Sequence, residues 1–196
     1  MKKMLLGIAV ATMAAQANAA DAGLGVSLRS NDAWVYVPID FGKVRIEPSV
    51  RYLDSDSTSV SNNSSSLFPL TETRTTEARS LELAVGVFGL GNVLDNVRVY
   101  YGARVAYIDS TQTERIHAQF LSTVETVTFE SDADGYRLSP TLGFEYAVNK
   151  HFSIGGEAEW FYQDVDSDFQ QSDETPSSGE STQTGTATRV ILRFYF

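Results

Sequence analysis

The chain contains no cysteine, so neither disulfide staples nor thiolate chemistry are available to it. Beyond its opening segment it has no stretch approaching the roughly 18 continuous apolar residues of a membrane helix, so entry into a membrane would need another kind of structure. Positive charge is in deficit. Fifteen Lys and Arg stand against 25 Asp and Glu, a formal net charge of −10. Phosphate binding needs clustered basic residues, and this balance argues against nucleic acid as a partner. Lysine is scarce in particular: past the opening segment only Lys43 and Lys150 occur.

The opening segment is distinctive. Lys2 and Lys3, the apolar stretch "MLLGIAVATMAA" and Ala17-x-Ala19 have the form of a secretory signal cut before Ala20. Residues 1–19 are therefore expected to be removed. Loss of Lys2 and Lys3 takes the formal charge from −10 to −12.

The remaining 20–196 parse into alternating segments. Strands are predicted over 23–30, 34–41, 44–53, 78–88, 97–109, 135–148, 152–163 and 187–196, eight in all. Gly42-Lys43, the "GLGNVLDN" stretch and Asn149-Lys150-His151 read as short turns. The intervening polar stretches, near 54–77, 110–134 and 164–186, read as long loops, and "SDSTSVSNNSSS" and "SDETPSSGESTQTGT" within the first and last read as mobile. Short turns at one end and long loops at the other are the pattern of an all-β, eight-stranded, antiparallel up-and-down transmembrane β-barrel, with the long loops outermost.

Alternation alone leaves the barrel's orientation open, because soluble ligand-binding barrels also alternate, with their apolar face inward. The composition of the polar faces decides between the two. Arg45, Glu47 and Arg51 alternate with Val44, Ile46, Val50 and Tyr52; Arg98 and Arg104 alternate with Val97, Val99, Tyr101 and Val105. Glu82, Arg137, Glu145, Glu157, Glu159, Arg189 and Arg193 occupy equivalent polar positions. These faces carry no lysine, the residue expected on a water-facing strand. They carry arginine, whose planar fork pairs carboxylates in enclosed sites. The twelve charged residues named here are therefore expected to form an interior network, with the apolar faces against lipid. Trp34, Tyr36, Tyr52, Tyr107, Tyr136, Trp160 and Tyr162 are expected to form one interfacial aromatic belt, and Tyr146, Phe152 and 194–196 the other.

The last strand ends "RVILRFYF", with Val190, Leu192, Phe194 and Phe196 at every second position. Together with the leader and the eight alternating segments, this strand resembles the small eight-stranded outer-membrane β-barrel family, the group of OmpX, Ail and the OmpA barrel. The resemblance covers the whole chain after the leader and rests on pattern. It implies export to the bacterial outer membrane. It also implies that Val190, Leu192, Phe194 and Phe196 act as the signal read by the barrel-assembly machinery, and that lipopolysaccharide and other outer-membrane lipids are neighbours. Cell-wall anchoring is not carried over.

A barrel of eight strands has an interior only wide enough for its own side chains, so a general porin is not expected. Two function classes follow: a structural or surface-interaction protein, whose loops meet host or cell-surface proteins, and a narrow channel gated by rearrangement of the Arg–Glu pairs. Catalysis is a weaker third. His117, near Glu114, Ser122 and Glu125, and His151 show no dyad spacing, and neither a catalytic residue nor a cofactor is expected. Asp164, Asp166 and Asp168 begin like a calcium loop, but Phe169 stands where glycine is needed and Thr175 where the bidentate glutamate belongs, so no metal is expected. In the second long connection "TQTERIH" and "TVETVTF" alternate again. This predicts a protruding hairpin, of the kind associated with adhesion in the resembled family.

Overall fold

A computed structural model describes residues 21–29, 32–63, 70–120, 123–171 and 176–196. The leader expected over 1–19 lies outside the described residues. Among the described residues there is no helix. The nine strands are β1 Asp21–Arg29, β2 Asp32–Tyr36, β3 Ile39–Phe41, β4 Val44–Asn63, β5 Leu70–Leu94, β6 Val97–Phe120, β7 Thr123–Asn149, β8 Phe152–Gln171 and β9 Ser177–Tyr195. All neighbours are antiparallel, and β1 pairs with β9, from Gly23 opposite Tyr195 to Leu28 opposite Val190, so the sheet closes on itself.

Nine strands make eight staves, because β2 and β3 occupy one position between β1 and β4. The expected strand over 34–41 is interrupted at Val37-Pro38, where proline has no N–H to give to the ladder. The backbone stays paired across the break: Val37 N–H donates to the Pro48 carbonyl at 2.9 Å, and Gly23 N–H to the Pro38 carbonyl at 2.9 Å. Closure follows from the same accounting of donors and acceptors, since a cylinder of strands leaves no edge unpaired in hydrocarbon.

The short turns gather at one end. Gly42 takes a left-handed conformation (φ 66°), which a glycine adopts without strain. The "GLGNVLDN" stretch is not itself a turn: β5 runs to Leu94, with a register shift between Asn92 and Leu94, and the reversal falls on Asp95-Asn96. Lys150-His151 makes the third.

At the other end the sequence reading needs correction. The long loops expected near 54–77, 110–134 and 164–186 are mostly strand; within 110–134 this is the hairpin that the alternation of "TQTERIH" and "TVETVTF" predicts. Pairing of β4 with β5 runs to Asn63 opposite Leu70, of β6 with β7 to Phe120 opposite Thr123, and of β8 with β9 to Phe169 opposite Ser177. These polar stretches bury little, but each extends a hairpin already zipped from below. Every added residue then makes ladder hydrogen bonds with its neighbours, and Thr-rich stretches such as "TETRTTEA" suit the extended backbone. Cross-strand ion pairs add to this, Arg74 with Glu114 at 2.8 Å and Arg115 with Glu77 at 3.1 Å. β7 has 27 residues, whereas about 9–11 suffice to cross a bilayer.

The first hairpin does not take part. β1 and β2 end beside residues 30–31, so above that level the cylinder becomes a six-stranded open sheet, β4 to β9. Among the described residues its free edges are residues 53–63 of β4 and 177–187 of β9.

Candidate functional site: the lumen and the outer sheet

The faces divide as strand alternation requires. Outward go Leu24, Val44, Ile46, Val85, Val87, Val105, Leu138, Leu142, Phe144, Ile154, Val190 and Phe194, all exposed. Inward go Arg45, Glu47, Glu82, Arg104, Glu145, Glu157, Glu159, Arg189 and Arg193, all buried. The usual arrangement of a water-soluble protein is inverted.

The inward groups lie in three tiers. Nearest the short turns, Arg45 grips Asp40 through two N–H groups at 2.6 and 3.0 Å and donates to Glu145 at 3.1 Å. Arg98 donates to Asp40 at 2.8 Å and to Glu145 at 3.3 Å; Ser153 and Tyr195 each donate a hydroxyl to Glu145 at 2.6 Å. In the middle tier Glu47 lies between Arg104 at 2.9 Å and Arg193 at 2.8 Å, and Glu157 receives Arg104 at 2.9 Å and Tyr100 at 3.2 Å. Arg189 joins this tier to the next, pairing with Glu157 at 3.2 Å and with Glu159. In the top tier Glu82 holds Arg51 at 2.7 Å and Arg137 at 3.2 Å, while Arg137 also donates to Gln163 at 2.7 Å.

All twelve residues expected in the interior thus lie in the lumen and make ion pairs there. Asp40 and the Tyr36 hydroxyl were not anticipated, whereas Tyr100 and Tyr195 lie in phase with Arg98, Arg104, Arg189 and Arg193. Asp40 lies beyond the proline break but keeps the register, and so the face, of Trp34 and Tyr36. Trp34 and Tyr36 were expected in an aromatic belt, but they point inward, 4% and 0% exposed, and Tyr195 also turns in. Their rings line the guanidiniums: Arg51 and Arg189 lie 5.3 and 5.4 Å from the Trp34 ring, and Arg104 lies 5.2 Å from that of Tyr36. An aromatic face stabilises a cation that has lost its water. Tyr100 crosses the lumen because residue 143 is glycine; a Cβ there would collide with its ring.

Arg45, Glu47, Glu82 and Arg193 are among the most deeply buried side chains of the described residues. Seven guanidiniums and six carboxylates, Asp40 included, nearly neutralise one another across this space. The described lumen is a packed plug.

Outside, Tyr52, Tyr107, Tyr136, Trp160 and Tyr162 face outward near the exit from the apolar band, and the Tyr107 and Tyr136 rings lie 5.6 Å apart. Two residues beyond Tyr107 and Tyr136 the face becomes acidic. Asp109, Asp134, Asp166 and Glu180 stand directly opposite one another across β6, β7, β8 and β9. Asp164, Asp166 and Asp168 are therefore positions of an extended strand. The histidines lie at opposite ends: His117 Nδ1 is 2.8 Å from Thr126 Oγ1 on the outer sheet, and His151 Nδ1 is 3.0 Å from the Tyr195 carbonyl at a short turn. Glu125 is exposed on β7, and Ser122 lies outside the described residues.

No family model matches the chain, and no curated protein matches its sequence. Solved structures do. A major outer membrane protein from Thermus thermophilus aligns over 91% of this chain and 100% of its own, with a TM-score of 0.55 at 10% identity. That likeness is one of fold. The chain is an antiparallel β-barrel like those of outer-membrane proteins. Neisserial surface protein A aligns over 90% of this chain and 94% of its own (TM-score 0.43, 12% identity). Ail, the attachment invasion locus protein of Yersinia pestis, aligns over 90% and 93% (0.39, 8%).

Proposed function

We propose that this chain is a non-enzymatic protein of the bacterial outer membrane that works through the surface it presents outside, and that its interior charge network is a structural plug. The observation that carries this reading is the contrast between the two halves of the molecule. The lumen is filled by mutually paired charges, fully buried at Arg45, Glu47 and Glu82, while the strands continue far past the length a bilayer needs. A chain built for conduction would keep polar space open inside. This one puts its excess material into an acidic outer sheet with two free edges. Such edges pair with extended segments of other proteins by adding strands, and host or cell-surface proteins are the partner class. Outer-membrane lipids and lipopolysaccharide surround the apolar band, and the leader and the strand ending in Phe196 deliver the chain to the assembly machinery.

Single-channel recording in a planar bilayer tests the reading against its competitor, a channel gated by movement of the Arg–Glu pairs. The parent chain is expected to give no reproducible steps. Glu82→Ala and Arg104→Ala, which open space in the top and middle tiers, are expected to give at most brief, irregular events. Stable, uniform open levels in the parent would replace the surface reading with transport. His117→Ala is expected to leave lipid A acylation unchanged.

A further inference from the structure

The inner face of the outer sheet continues the lumen's alternation and ends in a cavity of about 330 Å3. Two adjoining rows form it. In one, Gln112 of β6 lies opposite Ser131 of β7, which lies opposite Phe169 of β8; in the next, Glu114 lies opposite Phe129, which lies opposite Gln171. Phe129 and Phe169 are therefore diagonal neighbours on one face, close enough for side chains of their size to make a continuous apolar floor. Amides, a hydroxyl and a carboxylate surround that floor. Phe169 is 49% exposed, an unusual state for a phenyl ring on so polar a sheet, and it lies beside Gly179 of β9, which leaves most of one ring face uncovered.

From this we infer a binding site for a neutral saccharide, about one or two pyranose rings in extent. The volume falls at the lower end of small-molecule sites, about 300–1,000 Å3. A sugar ring has an apolar C–H face that stacks on an aromatic floor and a rim of hydroxyls that both donate and accept. Gln112, Gln171 and Ser131 offer both roles, which suits hydroxyls better than any ion. Anionic ligands are disfavoured, since Glu114 already occupies Arg74 at 2.8 Å and Glu130 adds negative charge at the margin. A wholly apolar ligand would leave the surrounding amides without partners. The inference rests on the surface reading above. It is independent of conductance, so a channel record would overturn that reading without bearing on whether this cavity binds.

The test uses the full chain folded in detergent micelles. Saturation-transfer NMR is recorded with N,N′-diacetylchitobiose and with maltotriose, and spermine serves as a cationic probe. At least one saccharide is expected to bind. Phe169→Ala is expected to weaken that binding tenfold or more and Gln171→Ala several-fold, with the heat-dependent gel shift of the folded barrel unchanged in both. Absence of a saccharide signal, saccharide binding indifferent to both substitutions, or binding of spermine alone would each overturn the assignment.

Discussion

Glu47→Gln is the sharpest perturbation of the plug. Glu47 is fully buried, accepts from Arg104 at 2.9 Å and from Arg193 at 2.8 and 3.2 Å, and lies 4.0 Å from Arg45. The amide keeps the shape and one acceptor but removes the charge. Three guanidiniums then face one another with Asp40, Glu145 and Glu157 as their nearest remaining carboxylates. At an effective dielectric constant near 20, two charges about 4 Å apart interact by ~4 kcal/mol. Breaking a buried pair from one side costs about 3–5 kcal/mol in practice. With a urea dependence of ~2 kcal/mol per molar, the unfolding midpoint in lipid bilayers should fall by roughly 2 M. Gel mobility of the folded and unfolded forms reports it. Combining Glu47→Gln with Arg193→Gln should cost clearly less than the sum of the two, because the second change removes one of the cations stranded by the first. A loss below about 1 kcal/mol in the single variant would refute the claim that these charges are desolvated and depend on one another.

Three further expectations follow from other parts of the structure. Trp34 lies inside and Trp160 faces outward, so brominated acyl chains should quench the Trp34→Phe variant, which keeps Trp160, and spare Trp160→Phe; equal quenching would mean the faces are misassigned. Gly143→Ala should destabilise the barrel by about 1–3 kcal/mol through the collision with Tyr100, and a Tyr100→Ala background should remove most of that cost in the same urea assay. Asp134 has like charges opposite it on both sides, Asp109 and Asp166, so Asp134→Asn should stabilise the outer sheet by roughly 0.2–1 kcal/mol per relieved pair, read as slower amide exchange at neighbouring residues.

The barrel was legible in the sequence because its two faces differ so sharply in chemistry. Period-two alternation of Arg and Glu with branched aliphatics specifies a strand and also which side is enclosed, and the absence of lysine from those faces carried the orientation. Asp40 was missed because Trp34 and Tyr36, which share its face, were read as belt aromatics, so a carboxylate that holds both Arg45 and Arg98 was not placed inside. Trp34 and Tyr36 were misplaced because an aromatic ring can serve equally in an interfacial belt or over a guanidinium, and only the register with Arg51 and Ser49 decides. The outer β6–β7 hairpin was legible from its alternation, but the outer parts of β4 and β9 were read as loops because composition reports burial. Residues 54–61 bury almost nothing, and their order comes from ladder bonds to a neighbouring strand, information that lies in the partner rather than in the segment.

The distribution of the ion pairs along the chain has a kinetic corollary. Asp40 and Arg45 are five residues apart and meet as soon as the first turn forms, whereas Arg193 reaches Glu47 across 146 residues. Until β9 arrives beside β1, Glu47 lacks one of its two nearest cations and Arg193 its closest carboxylate. Insertion should therefore lack a stable half-way form: a nascent sheet missing its final stave carries exposed charge that hydrocarbon rejects, and docking of that stave cancels the charge and completes the ring in one event.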